Sequence, residues 1–476
     1  MPSVSVLDSR TSISRVNLGS VDAGVGLEDI DIPQRSTVSE RTIHPETWPT
    51  LSIARSKPAR YLLASLLAVL ACGEEPMPPL VPADTAEADR RLGAGRPRGL
   101  WVLCEGSQRV LEHPERIDEL IEYASAIGAT DLFVQVYRGG QAWFDSTYAS
   151  AAPYQQIRES TGLDTLRELV RRAHLLGMRV HAWVNVLSLA NHRDAKIVSE
   201  IGRDAVLVDR RGRSILDYPN LEIPEPDRSY YRMGTPAVWL DPAAPGVAAY
   251  LAATFAELMV RYPELDGLHL DYIRYPGVLP FAPGSRFGVG LDFGYGESTR
   301  ARFKTETGLD APLGDNLRNA NRWDEWRREK MNQLVATLRA AARSARPDAP
   351  VNEQPLLSAA VGTYAERVYL AEAQDWKRWI EDGLLEFAVP MAYTLDDRMF
   401  RYLAEGFASS PRSDRIWIGH GTWLFAKHPE RALEQLEVAR SAGVRGEVLF
   451  SYDSIADAPA LREALLAHFG EPPGED

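Results

Sequence analysis

From Arg98 to the end of the sequence, short apolar runs alternate with longer amphipathic stretches. The runs predict strands at Leu100 to Cys104, Asp131 to Tyr137, Arg179 to Val186, Gly267 to Ile273, Leu356 to Val361, Phe387 to Tyr393, Ile416 to Gly419 and Glu447 to Tyr452. Between them, helical periodicity covers Pro114 to Ile127, Leu163 to Leu176, Pro245 to Arg261, Arg322 to Ser344, Gln374 to Glu381 and Pro429 to Ala442. Several of these stretches open with Pro, which suits a first helical turn. Strands alternating with helices imply a parallel sheet covered by helices, and eight strands close it. The expected fold class is therefore α/β, a (β/α)8 TIM barrel. Two long segments interrupt the alternation, Asn191 to Leu240 and Val278 to Asn321. Both follow strands, where a barrel builds its active-site face, so they are expected to wall a cleft.

Alternation within each strand assigns its two faces. In the third, Val180, Ala182, Val184 and Val186 suit the helix layer, leaving His181, Trp183 and Asn185 to point inward. The fourth turns Leu268 and Leu270 outward and His269 and Asp271 inward. By the same parity Phe133, Gln135 and Tyr137 face the lumen from strand two, and Trp101, Leu103 and Glu105 from strand one. Barrel interiors are ordinarily filled by branched aliphatics, so polar residues gathered at the carboxyl ends of strands suggest a ligand site.

The chain has 476 residues, 45% hydrophobic and 25% charged, enough apolar material for a large core. Its net charge of −13 lacks the basic footprint of a nucleic-acid binder. Two cysteines exclude a disulfide framework, and nine histidines without a Cys/His cluster do not suggest a structural zinc. Serine-elbow, His-Glu-x-x-His and phosphate-loop motifs are missing, so serine hydrolase, zincin and P-loop NTPase readings lack support, and no cofactor is expected.

The amino-terminal part divides differently. Residues 1–56 are rich in Ser, Thr and Arg and lack apolar periodicity, which reads as a disordered extension or as sequence upstream of the true start. Lys57 and Arg60 then precede a short apolar run from Tyr61 to Cys72, too short to span a bilayer but suited to a secretory signal over residues 57–72. Its end, Val69-Leu70-Ala71-Cys72, resembles a bacterial lipobox, in which the cysteine is acylated and becomes the first mature residue. The next methionine, Met77, lies beyond that cysteine, so a non-AUG start at Leu51 or a nearby Leu or Val is expected. Gly73 after the cysteine, by resemblance to Gram-negative lipoproteins, implies an outer-membrane protein facing the periplasm. A Pro-rich linker over residues 73–97 leads to the barrel domain, residues 98–476.

The ordered segments Arg98-Gly-Leu-Trp-Val102, Gly162-Leu-Asp164, Ala173 to Asn185 and Asp266-Gly-Leu-His-Leu-Asp-Tyr-Ile-Arg-Tyr-Pro276 resemble the glycosyl-hydrolase-like family 10 proteins. Glu325 to Arg328, Gln374 to Trp376, Val389 to Thr394 and Leu449 to Tyr452 continue the resemblance in order. Two segments depart from it, Val102 to Gln108 and Val351 to Pro355. The resemblance implies a TIM-barrel glycosidase acting on a polysaccharide or oligosaccharide, and the lipobox matches members that cut peptidoglycan glycan strands stripped of stem peptides.

Glycoside hydrolysis usually requires two carboxyl groups flanking the scissile bond, one of them protonated. Asp271 is the first candidate: it ends a strand, faces inward, and is followed by Tyr272, Arg274 and Tyr275. Glu105, Asp396 and Asp397 are candidates for its partner, with Asp145 and Asp453 behind them, while Asp266 and Glu447 open their strands and belong at the opposite, stabilising face. Tyr137, Trp183, Tyr275, Tyr393, Trp423 and Tyr452 are candidate stacking surfaces, and Arg138, Asn185 and His269 candidate hydrogen-bonding groups. His181 reads as a core histidine and Cys104 as a small apolar filler. The competing reading is a glycan-binding lipoprotein that keeps the barrel but lacks one carboxylate.

Overall fold

The computed structural model describes residue 92 and residues 95–280, 293–344 and 346–470. The expected extension, signal segment, Cys72 and most of the linker lie outside the described residues. Eight parallel strands form the centre: β1 Arg98–Val102, β2 Asp131–Arg138, β3 Arg179–Asn185, β4 Gly267–Asp271, β5 Leu356–Val361, β6 Phe387–Pro390, β7 Trp417–His420 and β8 Gly446–Leu449. Hydrogen-bonded neighbours run β7-β8-β1-β2-β3-β4-β5-β6. Parallel bridges Ala388↔Ile416 and Met391↔Gly419 bring β6 back to β7 and complete the ring. Each step carries at least one helix, the main ones being α1 Pro114–Ala126, α2 Thr165–Leu175, α3 Val247–Arg261, α4 Ala320–Arg343, α5 Trp376–Glu381, α6 Asp397–Ala408, α7 Pro429–Ser441 and α8 Pro459–Gly470. The architecture is the TIM barrel that the alternation implies.

Two apolar layers hold it. Leu100, Leu132, Val134, Val180, Ala182, Val184, Leu268 and Leu270 pack outward into the helices. The lumen is filled mainly by rings, among them Trp101, Phe133, Trp183, Phe387 and Trp417, with Val389 and Val448. Phe387 and Trp417 stack with centroids 3.9 Å apart and planes 14° from parallel. Room for the rings comes from glycine: a Cβ at Gly99 would lie 2.5 Å from Phe133. Truncating any such buried aromatic costs about 3 to 5 kcal/mol, so the lower barrel is a packed floor on which the polar mouth rests.

Parity holds along β3 and β4 but fails in β2. Gln135 pairs with Trp183, yet Tyr137 pairs with Val184, so one extra residue bulges between them. A bulge inverts the facing of everything beyond it. Tyr137 consequently turns into the helix layer, 5.2 Å from the Phe255 ring of α3, and is no part of the lumen. Tyr452 is also displaced from the expected cleft. β8 ends at Leu449, and Ser451 caps a short helix, Tyr452–Ala456, with its side chain accepting from Ser454 N–H. That turn sends the Tyr452 ring outward against Tyr123 of α1, 6.1 Å away.

At the opposite end, Asp266 accepts from Val180 N–H and faces His174 at 2.8 Å, and Glu447 pairs with Arg96 and Arg98, as their positions at strand starts imply. His181 sits deeper, 2.8 Å from buried Asp131. The two insertions pair with each other: Tyr231–Met233 runs antiparallel to Val278–Pro280. Trp239, from the first insertion, reaches the ring of Tyr272 at 5.5 Å, immediately after β4.

Candidate active site

Asp271 ends β4 at the barrel mouth and is 9% exposed. Backbone N–H of Tyr272 donates to its Oδ1 at 2.7 Å, and the indole N–H of Trp183 donates to Oδ2 at 3.2 Å. Burial pushes its carboxyl up to about 6, against the opposing pull of the Tyr272 N–H, Arg274 and Trp183. Arg274 does not ion-pair with it. The guanidinium instead meets Glu372 at 2.9 Å and lies over the rings of Trp239 and Tyr272. A carboxyl raised to about 6 keeps a substantial protonated fraction around pH 6, where an ordinary aspartate is almost wholly ionised, and the protonated form is the state a general acid requires. Tyr272 has φ +52°, a conformation costly for a non-glycine residue, and it turns the chain sharply just past the carboxyl.

Around Asp271 the mouth is part polar, part aromatic. Asn185 is its neighbour in register across β3 and β4, and Gln135 donates from Nε2 to Asn185 Oδ1 at 3.2 Å. The half-buried ring of Tyr393 follows β6; burial and then the charge of Asp271 push its hydroxyl well above the ordinary tyrosine range. Phe450 touches three rings at once, with centroids 5.6 Å from Tyr393, 5.7 Å from Trp101 and 6.3 Å from Trp183. Phe450 is not among the residues singled out from the sequence; its signal there was the segment Leu449 to Tyr452 and the parity it shares with Tyr452 in the expected strand.

A profile described as glycosyl hydrolase-like 10 matches residues 96–402, more than half of the chain. The chain belongs to this family. It is 23% identical over 399 residues to glycosyl hydrolase DigH of Escherichia coli strain K12, spanning 75% of this chain and 81% of that protein. With glycosyl hydrolase YngK of Bacillus subtilis the identity is 20% over 414 residues, 80% of this chain and 72% of the other. Among solved structures, the glycoside hydrolase domain of PgaB (BpsB) from Bordetella bronchiseptica superposes with a TM-score of 0.54 at 14% identity, covering 78% of this chain and 99% of that one. That likeness supports the fold.

The candidate partner carboxylates of this family member separate clearly. Asp396 caps α6, accepting from Arg398 and Met399 N–H, and is exposed. Asp397, also exposed, is held below the usual carboxylate range by the Gln435 amide and Arg431, which tie it to α7. Both carboxylates are engaged in holding α6, Asp396 as its cap and Asp397 through α7, while Leu395, Asp396, Asp397 and Arg398 line an open surface depression. Asp145 pairs with Arg261 of α3 at 2.5 Å. Asp453 is buried and accepts from Leu103 and Gln108 N–H, anchoring the loop after β1. The approach is so close that a Cβ at Gly106 would fall 2.0 Å from its carboxylate. On that anchored loop stands Glu105, exposed and ion-paired with Arg138, whose charge also reaches Tyr272. Among the named candidates Glu105 stands on the loop directly after β1, held by Arg138.

The remaining candidates fall on both sides of the cleft. Trp183 is 3% exposed and holds Asp271 in place more than it offers a free face. His269 is wholly enclosed, its ring nitrogens 3.1 Å from Trp101 Nε1 and 2.8 Å from Ser358 Oγ, and burial drives it well below the usual histidine range. It is a neutral support under Asp271 and does not reach a ligand. Tyr275 is buried beneath the second insertion, beside Arg327. Trp423, by contrast, is 47% exposed on the turn after β7, an open aromatic surface on this face. Cys104 gives its thiol to Gln135, and burial pushes the thiol well above its ordinary range, leaving it un-ionised.

Proposed function

We propose that the protein is a glycoside hydrolase of the cell envelope, with Asp271 as its proton donor. The observation that carries this is the buried, unpaired carboxyl at the end of β4, raised to about 6 and braced by two donors. In the proposed step the Asp271 proton passes to the glycosidic oxygen as the bond to the anomeric carbon breaks. Water then supplies hydroxide to that carbon and returns a proton to the carboxylate, so the balance closes. Family membership and the names of DigH and YngK support a glycan substrate. The resemblance to lipoproteins that cut stripped peptidoglycan strands makes those strands the substrate of choice. Cys72 would anchor the chain to the outer membrane from the periplasmic side, and incorporation of labelled fatty acid into wild type but not Cys72→Ala tests that placement.

Glu105 serves as the second carboxylate in this reading. Its pairing with Arg138 favours one alternative, a glycan-binding protein whose second carboxylate is already neutralised. Turnover of stripped glycan strands by Asp271→Asn and Glu105→Gln separates the two. An enzyme using both groups loses about a hundredfold or more in each variant with binding retained. An intact Glu105→Gln enzyme removes Glu105 from the chemistry, and a wild type without turnover that still binds strands leaves the binding protein.

A further inference from the structure

Three side chains, from the loop after β1 and from β2 and β3, form a directed chain of hydrogen bonds that ends beside Asp271. Cys104 sends two donors to one atom of Gln135, its thiol at 3.2 Å and its backbone N–H at 3.4 Å. A backbone N–H only donates, so the receiving atom is the amide oxygen of Gln135, and the Gln135 NH2 must face the other way. There it meets Asn185 at 3.2 Å, which makes that atom the Asn185 oxygen. The orientation of Asn185 is thereby decided two residues away: its oxygen is used and its NH2 is turned from Gln135. Among the described residues no hydrogen bond engages Asn185 Nδ2, although the residue is only 5% exposed. Asn185 and Asp271 are paired in register, and Asp271 draws its hydrogen bonds from Tyr272 and Trp183. Two adjacent polar groups, one amide donor and one carboxyl, therefore stand side by side without consuming each other.

We infer that Gln135 is a positioning residue that locks Asn185 with its NH2 toward the sugar held against Asp271, and that Asn185 donates to an acceptor oxygen of that sugar. This rests on the glycan reading above. The amide is 5% exposed, in a mouth where Trp183 and Phe450 are in ring contact, and a donor so shielded is worth more than one in water. An amide free to flip would present its carbonyl to the same oxygen half of the time and repel it. The thiol and N–H of Cys104 remove that freedom.

The test is a kinetic cycle on stripped glycan strands with Asn185→Ala, Gln135→Met and the double variant, each checked for an unchanged melting temperature. Asn185→Ala is expected to lower kcat/KM by about tenfold or more, the loss of one well-placed hydrogen bond. Gln135→Met alone should lower it severalfold. The double variant should be no slower than Asn185→Ala, because Gln135 acts only through the amide that is gone. Losses that multiply in the double variant, or a Gln135→Met enzyme with wild-type kinetics, overturn the proposal. If Gln135→Met does not fold, Gln135→Glu replaces it: a carboxylate turns the Asn185 NH2 toward itself, and the same non-additive loss is expected. Failure of the hydrolase reading appears separately, as absence of turnover in wild type. The same cycle is then read from strand binding constants, where equal affinity of wild type and Asn185→Ala refutes the inference.

Discussion

Replacing Asp271 with Asn should change how stability depends on pH, by an amount that follows from the site. The carboxyl rises from its ordinary 3.8 to about 6 in the folded protein. A group raised in this way stabilises the fold while protonated in both states, and that contribution is lost as pH climbs through the folded value. Spread over the interval from about 4 to about 6, the loss in wild type is about 3 kcal/mol, at about 1.36 kcal/mol for each tenfold change in proton concentration. Asn carries no such dependence. It brings a fixed penalty instead, because Tyr272 N–H and the Trp183 indole both donate to the side chain and an amide has one oxygen to offer them. One donor left unpaired costs about 1 to 3 kcal/mol at every pH. The variant should thus be the less stable protein near pH 4 and recover about 3 kcal/mol relative to wild type by about pH 7. Urea unfolding followed by tryptophan fluorescence at several pH values measures both curves. Parallel curves for the two proteins would refute the reasoning, since they would mean that Asp271 ionises in the fold as readily as in the unfolded chain.

Other substitutions separate chemistry from scaffold. Trp183→Phe keeps the ring but deletes the donor to Asp271 Oδ2, so the carboxyl should rise further. The alkaline limb of kcat/KM should move up by about one pH unit, and an unmoved limb would deny the contact a role in tuning the acid. Asp396→Ala should cost about 1 kcal/mol in thermal unfolding through loss of the α6 cap, with glycan turnover intact. A Trp423→Ala variant should bind glycan strands more weakly at unchanged melting temperature, whereas Tyr452→Ala should lose about 3 to 5 kcal/mol of stability and bind normally if it folds.

The barrel is legible in the sequence because strands and helices differ in period, and each predicted strand overlaps an observed one. Leu356–Val361 coincides at both ends. The inward set was recoverable from β3 and β4, where Trp183, Asn185, His269 and Asp271 obey simple alternation. It was not recoverable beyond Gln135, because a bulge leaves no mark in the pattern and inverts Tyr137. Strand ends were overextended for a related reason. Apolar residues continue past Leu449 and past Pro390, yet Ser451 and Asp396 begin helices there through side-chain caps. Asp396 followed by charged residues carried a cap signal in the sequence that competed with its reading as the partner carboxylate of Asp271. His269 shows another limit: parity places it inward correctly, but only three-dimensional packing under Trp101 and Ser358 removes it from contact with a ligand.

The measurement that bears most directly on the account is the appearance of new reducing ends from purified, peptide-free glycan strands, comparing wild type with Asp271→Asn at about pH 6. Wild type should release them, and Asp271→Asn should release them at least about a hundredfold more slowly while retaining strand binding. Equal release by both proteins, or strand binding by wild type with no release at all, would contradict the assignment of Asp271 as the proton donor of a glycoside hydrolase.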